Sequence, residues 1–266
     1  MTGGSIAPAQ TSRDPLAEAL RVIRLADDAG LEIRLMGGLA FHAVCPQWTA
    51  RIDREGRDID LATRSRHRKG VSDLLLRLGY LPDKRYNALY GHKQLYFFDP
   101  EWARPVDVLV DKLEMCHRFD FGDRLAICDP TLPPAELLLS KLQVVKINRK
   151  DVLDALAVLS ELPLAGDDVG GAAISLSRIT ALTSNDWGWW RTVTMNLGRL
   201  NEFLATDLKP GDLDFGRETR FEPTAQVAEL RAAIDDAPKS ARWKLRSRVG
   251  DRVAWYELPE EVGHAR

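Results

Sequence analysis

The chain contains little cysteine and no long hydrophobic run. Its three cysteines, Cys45, Cys116 and Cys128, are an odd number, widely spaced and without a CxxC pair. This pattern argues for reduced thiols and against a disulfide framework. No apolar run reaches the ~18 residues of a membrane span, and the first residues lack the basic and apolar regions of a secretory signal. We therefore expect a cytoplasmic protein with no membrane partner.

Excess charge and metal-binding histidines are also lacking. The net charge of the 266 residues is −2, so any attraction to nucleic acid must come from a local patch. The five histidines show no metal-ligand spacing, which argues against a zinc site. A hydrophobic content of 45% with 29% charged residues is typical of a folded protein, with room for one large domain or two modest ones.

The order of predicted helices and strands indicates an α+β fold with a mainly helical C-terminal domain. Asp14 and Pro15 form a helix start. A linker rich in Gly, Asp and Ala follows residue 161. We expect a disordered leader at 1–13, a catalytic domain at 14–161 and a helical domain with a basic tail at 174–266. The predicted strands span 31–36, 57–62, 89–98 and 105–110, with a hairpin or edge strand at 118–127 and a short hairpin in the tail after 239.

Two aspartates and two glycines carry the first sign of chemistry. Asp58 and Asp60 lie two apart in a predicted strand and would project from the same face. Carboxylates held about 6–7 Å apart repel each other unless a cation lies between them. Mg²⁺ (or Mn²⁺) suits such a pair, because it takes oxygen ligands and keeps sites for phosphate. Gly37 and Gly38 follow an earlier apolar run, where the missing Cβ lets the backbone approach a triphosphate. Together these residues suggest phosphoryl or nucleotidyl transfer.

A third aspartate, Asp107, lies inside the β-branched run at 105–110. Burying a carboxylate in such a strand is costly unless it is paired or bound to a metal. Asp107 is therefore a candidate third metal ligand and general base, and the alternative is a position on a solvated strand face. Asp111 competes for this role, but its place beside Lys112 at the strand end favours an exposed charge.

The combination resembles the nucleotidyltransferase superfamily built on the polymerase-β-like fold. The resemblance covers about residues 30–160. It implies a short mixed sheet flanked by helices, Mg²⁺ held by the three aspartates, and an NTP as substrate. The residues that carry it are Gly37, Gly38, Asp58, Asp60 and Asp107.

The wide gap between the glycines and the aspartate pair is most similar to the AbiEii-type branch, the toxins of bacterial type IV toxin–antitoxin systems. In that branch a helical lysine precedes a basic-Asp-x-x-Asp element, matched here by Lys141, Asp151 and Asp154. The resemblance implies that Lys141 and Arg57 bind the nucleotide and that Asp154 assists catalysis. Asp151 and Asp154 share a helix face, so one or both would hold Lys141 or orient an acceptor. The alternative is a lysine that extends from an apolar helix face into solvent.

Two aromatic or basic segments near the C-terminus have two interpretations each. Trp187, Trp189 and Trp190 favour the core of the helical domain, with a base-stacking platform as the alternative. Six basic residues against one acidic residue lie between Lys239 and Arg252, around Trp243. This segment would contact an RNA backbone or form a solvated tail.

The sequence thus predicts a metal-dependent nucleotidyltransferase that transfers a nucleoside monophosphate from an NTP to an acceptor hydroxyl. By resemblance the acceptor is an RNA or tRNA end, or a protein, and a cognate antitoxin is an expected partner. The alternatives are a non-catalytic nucleotide- or RNA-binding module on the same fold, and a small-molecule nucleotidyltransferase of the antibiotic-modifying type.

Overall fold

The computed structural model describes residues 11–49, 58–207 and 219–258. It confirms the predicted α+β class, since a five-stranded mixed sheet is flanked by helices and the C-terminal part is mainly helical. No helix within these ranges is both long and apolar enough to cross a membrane. Arg57, one of the predicted nucleotide-binding residues, lies outside the described residues.

The elements follow one another in mixed order along the chain. The strands are β1 (Ile33–Met36), β2 (Ile59–Thr63), β3 (Leu81–Pro82), β4 (Gln94–Asp99), β5 (Arg104–Val110), β6 (Lys112–Glu114), β7 (Arg118–Asp120), β8 (Leu164–Ala165) and β9 (Ile174–Ser175). The helices are α1 (Pro15–Asp28), α2 (Gly37–Val44), α3 (Pro46–Thr49), α4 (Arg68–Arg77), α5 (Lys84–Tyr90), α6 (Pro134–Leu142), α7 (Arg149–Glu161), α8 (Leu176–Asn185), α9 (Trp187–Thr206), α10 (Pro223–Asp236) and α11 (Ala241–Ser247).

The main sheet has the strand order β1-β2-β5-β4-β3. Strands β2 and β5 are parallel, and the other neighbouring pairs are antiparallel. Side chains of β5 alternate, with Val106, Val108 and Val110 buried and the residues between them half-buried. One face of the sheet therefore carries the hydrophobic core, and the other face is open enough to carry polar groups.

The described chain divides into two compact units. The first holds the residues up to Lys112 together with Asp120–Leu132, and the second holds Leu113–Phe119 and the residues from Pro133 onward. This division differs from the boundary expected at 161–174. The physical reason is that α6 and α7 pack against α9 and α10, so they belong to the helical unit and not to the sheet.

The N-terminal segment is anchored earlier than the predicted leader at 1–13 allows. Thr11 donates hydrogen bonds from its backbone nitrogen to Glu101 Oε2 at 3.1 Å and from its hydroxyl to Asp99 Oδ1 at 3.2 Å. Arg104, itself paired with Asp99 at 2.8 Å, donates to the Ser12 carbonyl. Thr11 and Ser12, at the end of the expected leader, are thus held by hydrogen bonds, and residues 1–10 lie outside the described part of the chain.

The strand predicted at 89–98 was wrong at its start. Leu89 and Tyr90 end helix α5, and β4 begins only at Gln94. Asp83 stabilises the helix start, because its carboxylate accepts a hydrogen bond from the Tyr86 backbone nitrogen at 2.8 Å. The cap outweighs the alternating pattern that favoured a strand.

Of the segment predicted as a hairpin or edge strand at 118–127, only 118–120 is an edge strand, and the hairpin predicted in the tail was wrong. Strand β7 ends at Asp120 and pairs with β6, and Gly122 begins a short 3₁₀ turn instead of a hairpin loop. The tail forms helix α11 and a second 3₁₀ turn, with no strand among the described residues after 239. Ser240 explains the helix, since its hydroxyl accepts a hydrogen bond from the Trp243 backbone nitrogen at 3.2 Å.

Candidate active site on the sheet

The sheet places Asp60, Asp107 and Tyr96 side by side. Asp60 of β2 is in register with Asp107 of the parallel strand β5, and Asp107 is in register with Tyr96 of the antiparallel strand β4. All three are half-buried and alternate with buried hydrophobic residues, so they share the more open face. Because neighbouring strands lie about 4.8 Å apart, the two carboxylates are close neighbours and repel unless a cation or a proton lies between them.

Gly37 lies against Asp60 because Met36, the last residue of β1, is in register with Asp60. Its φ of +61° is in the left-handed region, and a Cβ there would lie 2.6 Å from Asp60 Cγ and overlap Oδ2. Only glycine fits this position without displacing the carboxylate. Gly37 and Gly38 also open helix α2, whose first-turn N–H groups have no partner within the helix and suit an anion.

Asp58 lies exposed just before β2. Burial, Asp107 and then Asp58 raise the pKa of Tyr96, so the two carboxylates act on the same hydroxyl. In the ranges that the structure describes, no group of three or more His, Cys, Asp or Glu side chains forms a metal site. The carboxylates nevertheless suit Mg²⁺ or Mn²⁺, and Gly37, which has no Cβ, leaves room for a triphosphate beside such an ion. Metal ligation by Asp58, Asp60 and Asp107 stays a prediction.

Two residues that the sequence interpretation missed orient Asp107. Gln94 Nε2 donates a hydrogen bond to Asp107 Oδ1, and the Tyr86 hydroxyl donates to Gln94 Oε1 at 3.0 Å. The Asp107 carboxylate can only accept, so the Gln94 nitrogen must face it, and the Gln94 oxygen accepts from the Tyr86 hydroxyl. These two hydrogen bonds together fix the orientation of the Gln94 amide. For Gln94 the signal in the sequence was its spacing from Tyr96, since the two polar residues lie on the same face of one strand.

Asp111 has a structural role that separates it from Asp107. It follows β5 with a φ of +62°, and its carboxylate accepts a hydrogen bond from the Ser65 backbone nitrogen at 2.9 Å. Its carbonyl accepts from the backbone nitrogens of Phe121 and Gly122 at 2.9 and 3.1 Å. Asp111 thus fixes a turn at the strand end, while Asp107 lies in the row with Asp60.

Lys141, in the second unit, is held by both predicted acidic partners. Its Nζ lies 2.7 Å from Asp151 Oδ1 and 3.0 Å from Asp154 Oδ2. Burial alone would lower the pKa of Lys141, but Asp154 and Asp151 outweigh it and the pKa is raised. The side chain is only 15% exposed, which does not fit a lysine extending into solvent. Asp154, 2% exposed, is therefore a partner of Lys141 in this structure, and a role of either residue in nucleotide binding stays a prediction.

The tryptophan segment forms core rather than an open platform. Trp187 and Trp189 are 6% and 4% exposed. Trp190 packs edge-on against Trp243, with ring centroids 5.3 Å apart. Arg246 covers Trp187 at 4.6 Å, which ties the tail to α9.

The basic tail is partly used for structure. Arg246 donates to the carbonyls of Gly250 and Val253 at 2.8 and 2.7 Å. Lys239 donates to the Ala237 carbonyl at 2.8 Å, just after α10 ends. Neutralising these two residues would loosen the tail itself, so their charge cannot be assigned to an RNA contact. RNA contact by the other basic residues of the tail stays a prediction.

Comparisons with known proteins show that two solved structures are similar to this chain. No family model and no curated protein matches it. An antigenic nucleotidyltransferase-like protein from Paracoccidioides brasiliensis is similar with 13% identity and a TM-score of 0.39, over 87% of this chain and 96% of the other. A STING-associated CdnE c-di-GMP synthase from Capnocytophaga granulosa is similar with 17% identity and a TM-score of 0.29, over 89% and 82%.

Proposed function

We propose that the first unit is the catalytic domain of a metal-dependent nucleotidyltransferase. The observation that carries this proposal is the row formed by Asp60 and Asp107, with Gly37 against the Asp60 carboxylate. Two half-buried carboxylates in register on neighbouring strands destabilise each other, and such an arrangement is retained where it binds a cation. The glycine entry to α2 beside them suits a phosphate group.

The proposed reaction transfers a nucleoside monophosphate. The acceptor oxygen attacks the α-phosphorus of the NTP, the bond from that phosphorus to pyrophosphate breaks, and the hydroxyl proton passes to Asp107. Gln94, fixed by Tyr86, holds the Asp107 carboxylate in one orientation for this step. Mg²⁺ or Mn²⁺, when held by Asp58, Asp60 and Asp107, would supply positive charge against the triphosphate. The N–H groups at Gly37 and Gly38 would contact the phosphates.

The deciding experiment compares Asp60→Ala and Asp107→Asn with Asp111→Asn. The purified proteins are incubated with each labelled NTP, Mg²⁺ and total RNA, protein or small hydroxyl acceptors. We expect both site variants to abolish transfer while remaining folded. Asp111→Asn keeps activity, because asparagine tolerates a positive φ and its side chain still accepts a hydrogen bond.

The outcomes separate the candidate functions. Undiminished Mg²⁺-dependent transfer by Asp60→Ala would refute the metal site, and loss at Asp111 with tolerance at Asp107 would refute the assignment of the third carboxylate. NTP binding without transfer to any acceptor would indicate a non-catalytic binding module. Label on a small molecule would indicate the antibiotic-modifying type.

The narrower AbiEii-type assignment rests on the sequence motif at Lys141 and Asp151–Asp154 and stays a prediction, as does an antitoxin partner. Expression of the wild-type protein should arrest bacterial growth, and the Asp60→Ala variant should not. Growth arrest by both proteins would show that the toxicity does not depend on nucleotidyl transfer.

A further inference from the structure

A cavity of about 320 Å³ lies at the end of the sheet where β4 turns into β5. The described residues that line it are Arg13, Pro15, Trp102 and Arg104. Arg104 begins β5 and alternates with Asp107, so its side chain lies on the buried face of the sheet and not on the face of the candidate active site. The cavity is therefore separate from the aspartate row.

The guanidinium of Arg104 uses only one of its three nitrogens within the described part of the chain. Nη2 donates to Asp99 Oδ2 at 2.8 Å and to the Ser12 carbonyl at 2.6 Å. Nε and Nη1 are buried and donate no hydrogen bond to a described residue, and the side chain is 1% exposed. Buried N–H groups without an acceptor are costly, so their presence at a cavity wall points to a ligand that supplies negative charge.

Arg13 adds a second guanidinium on the exposed side of the cavity. It forms no ion pair with an acidic residue in the described ranges, and lies 5.9 Å from the centre of the Trp102 ring. Trp102 is held in place because its Nε1 donates to the Thr11 carbonyl at 3.1 Å, and it remains 36% exposed. With Pro15, the Trp102 ring gives the cavity a flat apolar wall beside positive charge.

The carboxylates of the same region already have donors. Asp99 accepts from Arg104, from the Thr11 hydroxyl at 3.2 Å and from the Glu101 backbone nitrogen at 3.0 Å. Glu101 Oε2 accepts from the backbone nitrogen and the hydroxyl of Thr11 at 3.1 and 3.0 Å. Asp14 caps the first turn of α1. The acidic side chains are thus matched, whereas both arginines still lack acceptors.

We propose that this cavity binds a small planar aromatic anion, a ring that carries a carboxylate or a phosphate. The ring packs against Trp102 and Pro15, and the anionic group lies between Arg13 and Arg104. The volume is at the lower end of the range of about 300–1,000 Å³ for small-molecule sites, which favours a single small ligand over a polymer. This inference does not depend on the proposed nucleotidyl transfer.

The test is isothermal titration calorimetry of the full-length protein, without NTP or Mg²⁺, against four probes. Naphthoate and AMP carry both a ring and an anionic group, inorganic phosphate carries only the charge, and naphthalenemethanol carries only the ring. We expect naphthoate or AMP to bind at least about tenfold more tightly than the other two, because only they use both parts of the wall. Tighter binding of AMP would identify a nucleotide ligand, and tighter binding of naphthoate an aromatic carboxylate.

Three variants of the wall locate the binding. Arg13→Gln should weaken binding of the preferred probe about tenfold through the loss of a charged contact. Trp102→Leu should weaken it by a similar factor, and Trp102→Phe, which keeps a ring, by less than about threefold. Arg104 is left in place, since its removal would leave the buried Asp99 without its cation.

The matched control is Arg220→Gln, which removes a guanidinium that also lies over an aromatic ring, at 5.3 Å from the centre of Phe221. This control should bind the probe as the wild type does. No measurable binding of naphthoate or AMP, or equal affinities of wild type and Arg13→Gln, would overturn the proposal. Equal losses in Arg13→Gln and Arg220→Gln would also overturn it, since they indicate unspecific attraction. AMP binding that is lost in Asp60→Ala and kept in Trp102→Leu would assign AMP to the candidate active site, and would overturn the proposal while leaving the proposed function standing.

Discussion

Substitution of Gly37 by alanine tests the geometry of the site, because two separate costs meet at this residue. The first is backbone strain, since Gly37 has a φ of +61° and a non-glycine residue there costs about 1–2 kcal/mol. The second is steric, since the new Cβ would lie 2.6 Å from Asp60 Cγ and overlap the carboxylate. The chain offers a control for the first cost alone: Gly30 has a φ of +69° and no atom within 4 Å of its virtual Cβ.

The two alanine variants should therefore differ in activity more than in stability. Gly30→Ala should lose about 1–2 kcal/mol of unfolding free energy and keep nucleotidyl transfer. Gly37→Ala should lose at least as much stability, and in addition the Asp60 carboxylate must move by about 1 Å, a displacement that can cost about 100-fold in rate. Urea unfolding gives the stabilities, and release of pyrophosphate from NTP gives the rates.

Either of two results would refute this reasoning. If Gly37→Ala transferred nucleotide as fast as Gly30→Ala, the approach of Gly37 to Asp60 would have no catalytic meaning. If Gly30→Ala lost activity equally, backbone strain and not the displaced carboxylate would explain the effect at Gly37.

Two further predictions concern the second unit. Lys141→Ala should slow nucleotide transfer about 30- to 1000-fold and leave the buried carboxylate of Asp154 and the half-buried carboxylate of Asp151 without their cation. Lys146→Ala and Lys150→Ala, at exposed positions, should have little effect. Comparable small losses in all three variants would indicate that the three lysines form only an ordinary charged surface. Burial lowers the pKa of His117 to about 4 from its ordinary value of 6.5, so the folded protein binds fewer protons between these values and loses stability as the pH falls through this window. His117→Gln should make the unfolding free energy less steep in pH between 6.5 and 4, and an unchanged slope in urea titrations would contradict this assignment.

Local patterns in the sequence were sufficient for much of the first unit. Asp14 and Pro15 begin a helix, since an aspartate can cap it and proline has no N–H to leave unpaired. The alternation around Asp107 indicates a strand with one buried face. The two glycines and the aspartate pair already suggested the chemistry. The helix start and the strand each depend on residues within a few positions of one another, whereas the chemistry was suggested by combining two short motifs about twenty residues apart.

Only the tertiary structure decided which side chains meet. The register of β2 against β5 brings Asp60 to Asp107, and it is set by hydrogen bonds and packing between segments distant in sequence. The cap at Asp83 begins α5, which includes the first two residues of the predicted strand at 89–98. This helix brings Tyr86 to Gln94 and so to Asp107. A sequence pattern records the preferences of neighbouring residues, whereas contacts across the sheet depend on how distant strands align.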